Sequence, residues 1–246
     1  MTTSTTSTQS IREIVATQPS AVAVLERFEI DPCTHAEESL DCACAELQLS
    51  VDQVREKLAD AAACEPGAVP ADLARYSISR LIQHIVRTHH QYVRRELPRL
   101  AEMARKLTGK HGDRAPELNK IAQLIEELHA DMLAHLEKEE QILFPFIAEV
   151  DQDAGSSGTP RRACFRTVAL PISMMMKEHD SAGRLVAEMR NLSHGFDAPA
   201  WACPTYIAFY SGLQEFENDF GQHVHLENDL LFPRAIDMEA KLNRRG

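Results

Sequence analysis

His135-Leu-Glu-Lys-Glu139-Glu-Gln-Ile-Leu-Phe-Pro145 and His223-Val-His-Leu-Glu227-Asn-Asp-Leu-Leu-Phe-Pro233 are two copies of one phrase, 88 residues apart. Each reads His, three residues, Glu, then Leu-Phe-Pro. On an α-helix, residues four apart lie on one face. His135 and Glu139 can therefore reach toward one point, and so can His223 and Glu227. The Leu-Phe pair supplies apolar packing beyond them, and a proline is tolerated near a helix start but kinks or breaks a helix interior. The repeat extends upstream: His90 lies 45 residues before His135, and His179 lies 44 before His223. The chain thus reads as two equivalent helical hairpins, and four helices can bring four His and two Glu into one bundle core.

Outside the repeat, composition mostly excludes. The 246 residues are enough to bury a sizeable core, and the formal charge of -11 argues against general nucleic-acid binding. Arg94, Arg95 and Arg99 are a local cluster, read as a solvated helix face. With no run of about 18 apolar residues, no membrane span is expected. Residues 1–10 are Thr/Ser-rich, read as a disordered tail rather than a secretory signal. Six cysteines in a chain of this length are no disulfide scaffold, which favours a reducing, cytoplasmic location.

The chain reads as all-α, with no strand-like alternation. Ser10-Ile-Arg-Glu13 resembles a capping box opening a helix toward Phe28, and Ser50-Val-Asp-Gln53 one opening a helix toward Ala63. A turn and a short helix fall between them. These elements form a small helical domain over 11–64, followed by a linker over 65–72. Residues 73–246 fit an up-down four-helix bundle, with helices at about Leu73–Leu107, Pro116–Val150, Ala169–Leu192 and Pro199–Lys241. The first is a candidate for a kink at Pro98, and Asp151–Pro160 is a Gly/Ser-rich loop between the halves.

A lone helical His is more often a surface or satisfied core residue than a ligand; the duplication is what marks these. Imidazoles with carboxylates suit Fe, Mn or Zn better than Ca or Mg. Six side chains exceed one tetrahedral Zn. They suit two ions bridged by both Glu, with positions left open for a diatomic molecule. Chain symmetry pairs His90 with His135 and His179 with His223. Spacing hardly separates His89 from His90; being about 100° apart, only one should face the core, and the repeat offset favours His90. His225 should be exposed, while His84, His111, His129 and His194 read as structural. Glu178 is either an outer carboxylate beside the site or a surface residue. Met174, Met175 and Met176 read as core packing.

These motifs resemble the hemerythrin-like di-iron proteins, and among them the repair of iron centres family. The resemblance covers essentially the whole chain. It rests on the two phrases above, on Glu178-His179-Asp180, and on Arg95-Glu-Leu-Pro98 after His90. It implies the ligand set His90, His135, Glu139, His179, His223 and Glu227. It implies two non-haem Fe ions with an oxo or hydroxo bridge, and a ScdA-type domain at the N-terminus. That domain's mark is a Cys-Cys-Gly-Gly turn. Here Phe28-Glu-Ile-Asp31 leads into Pro32-Cys33-Thr34-His35, so one Cys and both Gly are missing. The departure puts the family's thiol pair in doubt and leaves Cys33, His35, Cys42 and Cys44 as a candidate thiol or metal cluster, against inert cysteines.

The function implied is a cytoplasmic, monomeric or homodimeric stress-response protein. It would restore iron–sulfur clusters damaged by nitric oxide or oxidants, by iron donation or by NO binding and reduction. Damaged iron–sulfur proteins would be its partners and NO or O2 its small ligand. The alternative is an O2- or NO-binding carrier or sensor without turnover. A metal-dependent phosphohydrolase, prompted by His179-Asp180, leaves the duplicated phrase unexplained.

Overall fold

The computed structural model describes residues 9–18, 21–32, 34–63, 73–155 and 167–244. Among them there are helices and no strand, only an isolated bridge between Ser10 and Ser39. The fold is the all-α bundle expected. Residues 1–8 of the expected tail, the linker over 65–72 and residues 156–160 of the expected loop lie outside the described residues, while 151–155 of that loop are instead the end of a helix that reaches Gly155.

The chain packs as two compact units, one formed by 1–67, 102–119 and 190–215, the other by 68–101, 120–189 and 216–246. The first holds α1 (Ile11–Thr17), α2 (Ala21–Arg27), α3 (Leu40–Glu46) and α4 (Val51–Ala63). Ser10 caps α1 in a reciprocal capping box with Glu13, as expected. The single helix expected toward Phe28 is instead two helices. Pro19, with no backbone N–H to donate, follows the cap residue Gln18. Ile11, Ile14 and Val15 on α1, Val22 and Leu25 on α2, and Val54 and Leu58 on α4 are buried at helical spacing.

The second unit carries the repeat. The remaining helices are α5 (Ile78–Ile85), α6 (Gln91–His111), α7 (Glu117–Lys138), α8 (Phe144–Gly155), α9 (Ala169–Leu192), α10 (Pro204–His225) and α11 (Phe232–Asn243), of which α6, α7, α9 and α10 each have residues in both units. Three of the expected long helices are interrupted. π-helical turns at Val86–His90, Glu139–Leu143 and Leu226–Leu231 join α5 to α6, α7 to α8, and α10 to α11. α6 continues through Pro98 without interruption. A π turn inserts one residue into a helix and re-aims the side chains around it, which is why such turns gather at functional sites.

Apolar stripes lead into the site. On α7, Ile121, Leu124, Ile125, Leu128 and Met132 are buried in the register that continues through His135 and Glu139. On α9, Ile172, Met175, Ala182, Val186 and Met189 flank His179 in the same way. Beyond the His and Glu of each phrase, Leu143, Phe144 and Ile147 of one repeat and Leu231, Phe232 and Ala235 of the other share one core with Leu81 and Ile85. The methionine expectation is corrected: Met175 is buried, but Met174 and Met176 are exposed, because they fall on the outer face of α9.

Burying a side chain such as Ile147, with 0% exposure, stabilises the fold by about 1.5–3 kcal/mol. Ile147→Ala should cost about 2–5 kcal/mol in urea denaturation of the metal-free protein, cavity included. Ile142→Ala, one turn away and 46% exposed, should stay within about 0.5 kcal/mol.

Candidate metal centre

All six residues marked by the repeat converge, and each is buried: His90, His223, Glu139 and Glu227 at 0%, His135 at 1% and His179 at 2%. Their donor atoms form two groups, His90, Glu139, His223 and Glu227, and His135, Glu139, His179 and Glu227, each within 4.8 Å. The two glutamates belong to both, as bridging carboxylates would. The four-residue spacing works as expected, with His135 Nε2 3.3 Å from Glu139 and His223 Nε2 3.0 Å from Glu227. His135 and His179 meet Nε2 to Nε2 at 3.0 Å.

The grouping corrects the pairing expected from chain symmetry. Each group takes one His from each half, His90 with His223 and His135 with His179. Symmetry identifies equivalent residues but not neighbours. Here α6 lies beside α10, as the stacking of Tyr92 on Phe216 shows, and α7 lies beside α9, where Lys138 pairs with Glu178.

An outer layer orients three of the imidazoles through Nδ1, leaving Nε2 to face inward. His90 Nδ1 bonds Glu140 at 2.7 Å, His135 Nδ1 bonds Glu178 at 2.9 Å, and His179 Nδ1 bonds Asn228 at 3.1 Å. Arg94 and Lys138 secure the two carboxylates. Of the two readings of Glu178, the structure realises the outer carboxylate. Glu140 and Asn228 follow the glutamate of each repeat and do the same work. The signal in the sequence was an acceptor at that position in both copies. The Phe of each repeat also acts on the site: Phe144 stacks on His90 and Phe232 on His179.

His89 does not follow the expectation that only one of the adjacent pair faces inward. It is 4% exposed, because the π turn brings both residues into the core. Its Nδ1 bonds Asp219 at 2.9 Å, so it joins neither donor group. His225 is exposed and paired with Asp229. His111 packs against Trp201 and Tyr206. Of the two alternatives for the cysteines, the thiol or metal cluster is not seen among the described residues. Cys33 lies outside them, Cys42 is exposed, and burial raises the pKa of the Cys44 thiol. His35 groups instead with Glu38 and Glu46 near the surface.

The donor set fits metal ions. His90 Nε2, both oxygens of Glu139 and Oε2 of Glu227 are buried without a hydrogen-bond partner, a costly arrangement unless a cation completes it. Electrostatics agree. Burial pushes His90 down, but Glu139 and Glu227 outweigh it and raise its pKa to about 10. Burial likewise opposes Glu139, Glu227 and Glu178 at His135, which ends raised to about 9. Burial leaves His223 lowered. Glu227 is held well below the usual carboxylate range: burial opposes this, but His223, His179 and His90 prevail. The metal-free site thus carries imidazolium charges where metal charge would stand.

Both histidine pKa values lie above the unfolded value of about 6.5. Their stabilisation of the metal-free protein is therefore full below pH ~6.5 and lost as pH rises through about 9 and about 10. Metal uptake at pH 7 should expel protons from His90 and His135 and tighten as pH rises. Calorimetry in buffers of different ionisation enthalpy reads the release directly. Glu139→Ala with Glu227→Ala should abolish metal binding in elemental analysis, whereas His225→Ala should leave it intact.

Residues 81–235 match the family described as the hemerythrin HHE cation binding domain, and residues 7–62 match a domain of unknown function, the ScdA N-terminal domain. The chain is 33% identical to the iron-sulfur cluster repair protein YtfE of Enterobacter sp. (strain 638), over 93% of this chain and 96% of that one. It is 32% identical to a probable iron-sulfur cluster repair protein of Haemophilus influenzae, over 93% and 97%. It is 34% identical to YtfE of Pectobacterium carotovorum, over 93% and 96%. Two matched domains in the same order and end-to-end similarity place this chain in the family of hemerythrin-domain iron–sulfur cluster repair proteins.

Proposed function

We propose that this chain holds two iron ions and restores iron–sulfur clusters damaged by nitric oxide or oxidants, in the cytoplasm. The ligands are His90 and His223 for one ion and His135 and His179 for the other, with Glu139 and Glu227 bridging. Residues 73–246 then act as the metal-binding bundle and 11–64 as a separate N-terminal domain. The observation that carries this reading is the donor set itself. Four imidazoles and two shared carboxylates, with no thiolate, suit iron and leave its coordination incomplete. Bound there, iron supplies an open position for NO or O2 and a metal that can be passed to a damaged cluster.

The chain's own part is to hold these ions firmly enough to load and loosely enough to release. A carboxylate cage without thiolate exchanges metal more readily than a closed site of four thiolates. The His135 and His179 group has a route to the surface. A surface cleft of about 230 Å³, lined by Met132, His135, Lys138, Met174, Lys177 and Glu178, reaches His135. Glu178, which orients that histidine, has a side chain 28% exposed. The His135 and His179 side is the exit this reading assigns to iron.

Iron-loaded protein should restore activity to a cluster-depleted iron–sulfur hydratase beyond an equal amount of free iron. Recovery no better than the free-iron control would overturn iron donation. Glu178→Ala should speed chelator removal of one ion about tenfold or more, the usual scale for losing an outer partner, and should leave the other ion's rate near wild type.

A further inference from the structure

Three of the four site imidazoles are oriented by an Nδ1 acceptor, and the fourth is not. His223 is fully buried and its Nδ1 finds no hydrogen-bond partner. A histidine that presents Nε2 to a metal needs its ring plane fixed by something else. Here that contact is a second ring. His89 stacks on His223 with centroids 5.8 Å apart and planes only 7° from parallel. The other histidines near His223 meet it steeply, His90 at 61°, His135 at 64° and His179 at 68°.

His89 is itself held. Its Nδ1 lies 2.9 Å from Asp219 Oδ1, and both side chains are buried, at 5% and 6%. Asp219 stands four residues before His223 on α10, so it shares that residue's helix face. One face of α10 thus provides both the carboxylate that grips the His89 edge and the ring that His89 covers. On its outer side His89 meets His84 edge-on at 6.0 Å. The π turn at Val86–His90 is what brings His89 inward beside His90. Burying a polar pair to fill space is costly compared with an apolar pair, and His89 Nε2 and Asp219 Oδ2 are left without partners.

We propose that His89, locked by Asp219, is the positioning residue for His223, replacing by stacking the acceptor that the other three ligands have. The pair acts on the His90 and His223 group alone. The inference rests on the metal-centre reading above for its metal readout, but its ring readout does not require metal.

The test uses the full chain with ¹⁵N-labelled histidine, first metal-free and then loaded with iron-57. In metal-free His89→Ala and Asp219→Ala, the His223 ring signal should broaden or split between tautomers. In Asn228→Ala it should stay sharp, since Asn228 serves His179. After loading, His89→Ala should release one of two irons to chelator about tenfold or more faster, with one Mössbauer doublet altered and the other unchanged. Should His89→Ala fail to fold, Asp219→Asn keeps a side-chain oxygen to accept from His89 Nδ1 while removing the charge. It should retain a sharp His223 signal and near-normal iron release. An unchanged His223 signal in Asp219→Ala or His89→Ala would overturn the proposal, as would equal loss of both irons. Wild-type protein that binds no iron would sink the metal-centre reading, while the metal-free ring signal still decides this one.

Discussion

Two glutamates with no exposed surface, Glu139 and Glu227, set the terms for this protein. Removing a carboxylate from water costs several kcal/mol even after the protein relaxes, and this bundle does it twice in one place. Positive charge has to be brought to them. In the metal-free chain His90 and His135 provide it, their pKa values raised to about 10 and about 9 against the opposing effect of burial. Two bound cations would do so more completely, which makes occupancy and proton content of the site two sides of one balance.

The helices are deformed where they meet that demand. Each of these glutamates sits in a π turn, and so do His89 and His90. A regular helix presents one stripe to the core, and that stripe must hold apolar packing above and below the site. The extra residue of a π turn shifts the register locally, so donor atoms gather on one level while Leu143, Phe144, Leu231 and Phe232 resume the apolar core beyond it. The Leu-Phe-Pro endings then make sense together. The phenylalanines stack on His90 and His179, and Pro145 and Pro233 fall at the start of α8 and α11, where a missing N–H costs little.

Around this core the two halves are related without being identical. Glu140 and Asn228 occupy equivalent positions, yet one brings a charge tied to Arg94 and the other a neutral amide. His135 is backed by a half-exposed ion pair beside a cleft, while His223 is sealed against His89. Histidines of nearly equal burial therefore differ in basicity, His135 being raised and His223 lowered.

Local periodicity was legible in the sequence. The four-residue spacing of His135 with Glu139 and of His223 with Glu227 placed each pair on one helix face, and duplication singled out His90 and His179 from the other histidines. The all-α fold and the convergence of six side chains followed from that. What tertiary structure alone decided was adjacency. Which histidines share a group depends on α6 lying beside α10 and α7 beside α9, a nonlocal matter that chain symmetry does not encode. The π turns were equally hidden, because their extra residue is stabilised by packing around the site and not by helix propensity. The same holds for His89 and Asp219, 130 residues apart in the chain, whose pairing exists only once two helices have docked.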